Sequence, residues 1–165
     1  MYKHILIPTD GSELFEQAIN YGVDLAKGAN ATVKGITVST PFHIYSVEPG
    51  VYSVEPGALT DNIESYTARM STAAANWLAY VKDVAAAANV GCEVVHAQHE
   101  HPYKAIIDTA TNKGCDLIVM ASHGRRGISA IVLGSETVKV LTHSTIPVLV
   151  YRAPRTKLPP YFAAS

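Results

Sequence analysis

Five short apolar runs alternate with segments of helical period, and this alternation restricts the chain more than any other feature of its sequence. Tyr2 to Pro8 (YKHILIP), Ala31 to Val38 (ATVKGITV), Cys92 to Gln98 (CEVVHAQ), Asp116 to Met120 (DLIVM) and Ile146 to Tyr151 (IPVLVY) have strand length. Strands separated by helices form βαβ units, in which each helix carries the chain back across the sheet, so the strands run parallel. Right-handed crossovers and short connections leave few arrangements for five strands and four helices. The expected fold is therefore α/β: one doubly wound, five-stranded parallel sheet of order 3-2-1-4-5.

The helices are punctuated in the sequence. Ser12 is a candidate N-cap with Glu13 at the positive end, Leu14, Ala18, Tyr21, Gly22 and Leu25 form a stripe, and Gly28 and Asn30 stop the helix after about Lys27. A long helix is expected from about Asp61 to Asn89, with Ile63, Tyr66, Met70, Ala73, Trp77, Val81, Val84 and Ala88 along one side. Pro102 opens the third helix at its tolerated first position and Gly114 ends it; Ser135 to about His143 makes the fourth. Residues 39–60 form a long connection that carries YSVEPG at 45–50 and again at 52–57, read as an insertion tolerated at the surface. The expected domain spans residues 1–152, followed by a Pro-rich tail at 153–165.

Charge and cysteine usage exclude several classes. With 13 basic against 14 acidic side chains, the chain lacks the positive surface that a nucleic-acid partner requires. No run of 18 apolar residues is present, so no membrane span is expected. Cys92 and Cys115 have neither disulfide-framework nor zinc spacing and fit a reducing cytoplasm. His96, His99, Glu100 and His101 are metal-ligand types, but one strand and one turn without a second cluster read as a solvated surface, so no metal is expected from the protein alone. There is no G-x-x-x-x-G-K-[ST] loop and no G-x-S-x-G elbow, and Ser122 beside His123 lacks a positioned acid. No catalytic residue is assigned, and at most slow hydrolysis is expected.

In a doubly wound sheet, ligands sit beyond the carboxyl ends of the strands where the strand order reverses. Pro8-Thr9-Asp10 follows the first strand, and Ala121-Ser122-His123-Gly124-Arg125-Arg126-Gly127 follows the fourth. Gly134-Ser135 then begins a helix, whose N-terminus offers unpaired N–H groups and a positive dipole end to an anion.

The opening ILIPTDGSE and the stretch MASHGRRGISAIVLGSETVKVLTHSTIPVLVYR resemble the universal stress proteins, in the branch that binds adenine nucleotides, over roughly residues 1–152. The family motif is a glycine, two residues, a second glycine, nine residues, then glycine with serine or threonine. Gly124, nine residues and Gly134-Ser135 keep that spacing, whereas Ala121 stands where the motif has its first glycine. The resemblance implies a Rossmann-like sheet of the adenine nucleotide alpha hydrolase type. It implies that Pro8, Thr9 and Asp10 lie along the nucleoside, Asp10 accepting from ribose hydroxyls or meeting nucleotide-bound Mg²⁺, and that Val38 touches adenine. Met120, Ala121, His123 and Gly124 would line the ribose and phosphate route, with at most one of Arg125 and Arg126 helping. Gly134, Ser135, Glu136 and Thr137 would hold phosphates, Glu136 through its N–H alone with its carboxylate turned away. The implied cofactor is ATP or AMP. The implied role is a cytoplasmic, nucleotide-dependent sensor or regulator in the stress response, meeting a protein partner the sequence does not identify. A homodimer through the last strand, Pro147 to Tyr151, is also implied. The competing reading is a nucleotide-free dimeric scaffold working through protein contacts.

Overall fold

The computed structural model describes residues 1–41, 56–123 and 133–153. Chain order is β1 (His4–Pro8), α1 (Glu13–Ala29), β2 (Thr32–Ser39), α2 (Pro56–Ala87), β3 (Cys92–Gln98), α3 (Pro102–Asn112), β4 (Leu117–Ala121), α4 (Ser135–His143) and β5 (Val148–Tyr151). The strands form an all-parallel sheet of order β3-β2-β1-β4-β5, the expected one. Most of the YSVEPG repeat, the segment 124–132 and all but the first residue of the 153–165 tail lie outside the described residues.

Both faces of the sheet are covered because the central strands are apolar at successive positions rather than at every second one. Ile5, Ile7, Val33, Leu117 and Val119 point to one face, where they pack with Ile19 and Val23 of α1 and Val81 and Ala85 of α2. Leu6, Ile36, Ile118 and Met120 point to the other and meet Ile106 and Ala110 of α3 and Val140 of α4. The helix after β1 and the helix after β4 therefore leave on opposite faces, which makes the adjacent ends of β1 and β4 the point where the winding reverses.

The helix stripes depart from the expected ones. In α1 the buried residues are Phe15, Ala18, Ile19, Gly22, Val23, Ala26 and Ala29, while Leu14 and Leu25 flank the core and Tyr21 is 44% exposed, its ring against that of Tyr151. Two overlapping apolar rows run along this helix, and periodicity does not choose between them. In α2 the buried row is Ala74, Leu78, Val81 and Ala85. Ile63 is exposed and Tyr66 and Met70 are half-buried, because a helix of 32 residues, about 48 Å long, outruns strands of some 25 Å. Helix α1 runs on through Gly28, expected to stop it, to Ala29, and Asn30 ends it in the left-handed region at φ 53°.

Asp116 ties the entry of β4 to that of β1, its carboxylate accepting the N–H groups of Lys3 at 2.8 Å and His4 at 3.0 Å. Partial desolvation pushes its pKa up, but these backbone donors outweigh it and hold the carboxyl below its ordinary value. A depressed carboxyl stabilises the fold above the unfolded pKa of about 4 and loses that contribution as pH falls through the folded value. Urea midpoints of Asp116→Asn should accordingly lie below those of the parent at pH 7 and converge with them as pH falls through the depressed folded pKa. A difference that persists unchanged at low pH would show that the charge is irrelevant.

Candidate functional site

A cleft of about 550 Å³ opens at the reversal point. One part is apolar, formed by Pro8 of β1, Ile36 and Val38 of β2, Met120 of β4, Phe15 of α1 and Ile106 of α3. The first turn of α4, with Gly134, Ser135, Glu136 and Thr137, also lines it, as do Thr9, Asp10, Thr40, Glu100 and Pro102.

The turn after β1 is fixed by local bonds. The Thr9 N–H donates to the Ile36 carbonyl at 2.8 Å, extending the β1–β2 ladder by one bond, and the Thr9 carbonyl accepts the Thr37 hydroxyl at 3.1 Å. Thr9 Oγ1 accepts the Gly11 N–H at 3.2 Å and Asp10 Oδ1 accepts the Ser12 N–H at 3.0 Å, an Asx turn. Gly11 has φ +72°, and a Cβ built there would lie 2.0 Å from Nε1 of Trp77, so the indole of α2 packs directly on this turn. The expected Ser12 side-chain cap is not made: the Ser12 carbonyl accepts from Phe15 at 3.0 Å and Glu16 at 3.1 Å, while its buried hydroxyl has no partner among the described residues.

The start of α4 is held from below. The Gly134 N–H donates to the Ser122 carbonyl at 2.8 Å, and the first intrahelical bond runs from Val138 to the Gly134 carbonyl at 3.0 Å. The N–H groups of Ser135, Glu136 and Thr137 thus head the helix without an intrahelical acceptor, at the positive end of its dipole. The Thr137 hydroxyl is buried and donates to the Ala121 carbonyl at 3.1 Å, so its side chain anchors the turn. The Glu136 carboxylate reaches sideways: Oε2 accepts the Tyr103 N–H at 2.9 Å and Oε1 pairs with Lys139 Nζ at 2.9 Å. That bond holds the Lys139 ammonium above its ordinary pKa.

Of the residues singled out from sequence, Pro8, Thr9, Asp10, Val38, Met120, Gly134, Ser135, Glu136 and Thr137 line one cleft. Ala121 and His123 are not among its lining residues. Ala121, the last residue of β4, is fully buried against Phe15 and Ala18, and His123 is half-buried with Nδ1 3.2 Å from the Ser122 hydroxyl. Gly124, Arg125, Arg126 and Gly127 lie outside the described residues. Sequence reasoning missed Ile36, two residues before Val38 and hence on the same strand face, and also Phe15, Ile106 and Trp77, which tertiary packing alone brings here. The His99 Nδ1 accepts the His101 N–H at 2.8 Å, and His96 Nε2 lies 2.9 Å from the Ser39 hydroxyl. Among the described residues, no three His, Cys, Asp or Glu groups converge on a metal position.

Comparison with known proteins gives a consistent result. The model of the universal stress protein family matches residues 1–152. Universal stress protein YxiE of Bacillus subtilis is 30% identical over 152 residues, which cover 92% of this chain and all of the relative. A solved universal stress protein of Methanocaldococcus jannaschii superposes with a TM-score of 0.75 at 26% identity, covering 94% of this chain and 99% of that one. A universal stress protein solved in complex with cAMP has a TM-score of 0.63 at 22% identity, covering 92% and 97%, a likeness of fold.

Proposed function

The chain belongs to the universal stress protein family, and from that premise we propose that its cleft binds an adenine nucleotide, ATP or AMP, as a signal in stress adaptation. The observation that carries this reading is the pairing of the three leading N–H groups of α4 with an apolar slot across one cleft of about 550 Å³. A phosphate accepts N–H groups at a helix N-terminus, while a purine ring needs apolar walls. The cAMP complex of a relative is a precedent for such a ligand on this fold.

Strand geometry supports adenine as the base. On β2 the Thr32 N–H bonds Lys3 of β1 and the Ile36 carbonyl accepts from Thr9, so alternation turns the N–H and C=O of Val38 to the same side, past the end of β1. An adjacent donor and acceptor match adenine N1 and its amino group, whereas guanine presents the reverse order. Asp10 fits ribose hydroxyls or the water shell of a nucleotide-bound Mg²⁺, which is usually held by one or two carboxylates and phosphates. Calorimetric titration should give one site for ATP and for AMP and at least tenfold weaker binding of GTP. Equal affinity for GTP would contradict the role of Val38, and no heat with any nucleotide would favour the scaffold reading.

A homodimer through β5 is part of the proposal. Ile118 donates to the Pro147 carbonyl and Ser122 to the Tyr151 carbonyl, so the N–H and C=O groups of Val148 and Val150 face away from β4. Apolar side chains flank this open edge, with Tyr21 at 44%, Val138 at 44% and Leu141 at 41% exposure, and a second copy would cover them. Val150→Pro removes one outward N–H and spares the β4 ladder. Light scattering at micromolar concentration should give a dimer for the parent and a monomer for the variant; a monomeric parent would overturn the assembly.

A further inference from the structure

Glu136 poses a chemical problem for a phosphate site and offers a way to solve it. Its N–H heads α4 and the residue lines the cleft, yet its side chain, one-third exposed at 34%, carries a negative charge beside that N–H. The carboxylate is held on two sides. Oε2 caps the N-terminus of α3 through the Tyr103 N–H, a role the His101 N-cap side chain does not perform, and Oε1 pairs with Lys139, whose ammonium also lies 5.4 Å from the centre of the Tyr103 ring. Covalent geometry keeps a glutamate carboxylate within roughly 6 Å of its own N–H. A phosphate accepting that N–H therefore sits within about one Debye length of both the carboxylate and Lys139.

We propose that the Glu136–Lys139 pair is the specificity-determining element for the number of phosphates: Glu136 opposes polyphosphate charge, and its neutralisation by Lys139 sets how much of that opposition is felt. The inference rests on the nucleotide reading of the same cleft. A charge effect scales with the charge of the ligand and leaves an uncharged nucleoside untouched, which separates it from a merely structural role for the α3 cap. Glu136→Gln keeps an oxygen acceptor for the Tyr103 N–H and frees Lys139. Lys139→Gln leaves the carboxylate and removes its partner.

The test measures adenosine, AMP and ATP affinities for the parent and both variants at 0.1 M and 1 M salt. The expected result is that Glu136→Gln tightens ATP about five- to tenfold and AMP less, Lys139→Gln weakens ATP, adenosine changes less than twofold throughout, and high salt compresses the differences. Equal shifts for adenosine and ATP, or an unchanged ATP-to-adenosine ratio, would overturn the inference and leave the nucleotide reading standing. Failure of the parent to bind any of the three ligands would overturn both.

Discussion

Gly134→Asp should abolish nucleotide binding, by a hundredfold or more, while shifting stability by no more than about 1 kcal/mol. Aspartate is a favoured N-cap, and its carboxylate can accept the N–H groups of the first turn. The helix keeps its cap, but those donors are then occupied by a tethered anion and a phosphate meets a negative charge. Two lost charge-assisted bonds at about 1.5–3 kcal/mol each account for the loss in affinity. Crowding is the competing explanation, because a Cβ at Gly134 would lie 3.1 Å from the His123 Cα and 3.5 Å from the Ser122 carbonyl oxygen. Gly134→Ala separates the two: it introduces the crowding without the charge and should cost less than tenfold. Equal losses for alanine and aspartate would mean that space, not the anion site, is what the glycine supplies.

Gly11→Ala should lower stability by about 3 kcal/mol, from about 1 kcal/mol of left-handed strain and the rest from overpacking. The backbone has φ +72°, and a new Cβ would meet three indole atoms of Trp77 at 2.0 to 2.4 Å. Either the ring or the turn must move, and the turn carries Asp10 and Thr9 of the cleft. ATP affinity should therefore fall at least tenfold, and the emission of Trp77, the one tryptophan in the chain, should change even without nucleotide. In a double-mutant cycle, Trp77→Ala relieves the overpacking, so the pair should cost less than the sum of its parts. Strict additivity would show that the contact between turn and helix is energetically idle.

The sheet was legible because its strands differ from the helices in length and period, and the bounds of β3 and the start of α4 follow from Gly91, Pro102 and Gly134 flanking the runs. The direction of each helix face was less legible. Phe15, Ile19 and Val23 compete with Leu14, Tyr21 and Leu25 for the core, and only the position of α1 against β1 and β4 decides. Within the site, chain positions were readable, and so was the need for the Glu136 carboxylate to turn aside, but the partners of the side chains were not. Glu136 and Thr137 are neighbours, yet one carboxylate reaches α3 and one hydroxyl turns down to Ala121, because α3 and the end of β4 supply the acceptor and donor that capture them. Ala121 itself, expected along the phosphate route, closes the strand one residue later than the apolar run DLIVM indicates and so enters the core.

The most direct test is to denature freshly purified protein and identify the small molecules it releases by mass spectrometry. The expected result is an adenine nucleotide approaching one per chain, absent from Gly134→Asp prepared in parallel. Protein that releases no nucleotide, and that takes up none when ATP or AMP is then supplied in excess, would contradict the claim that this cleft is a nucleotide site.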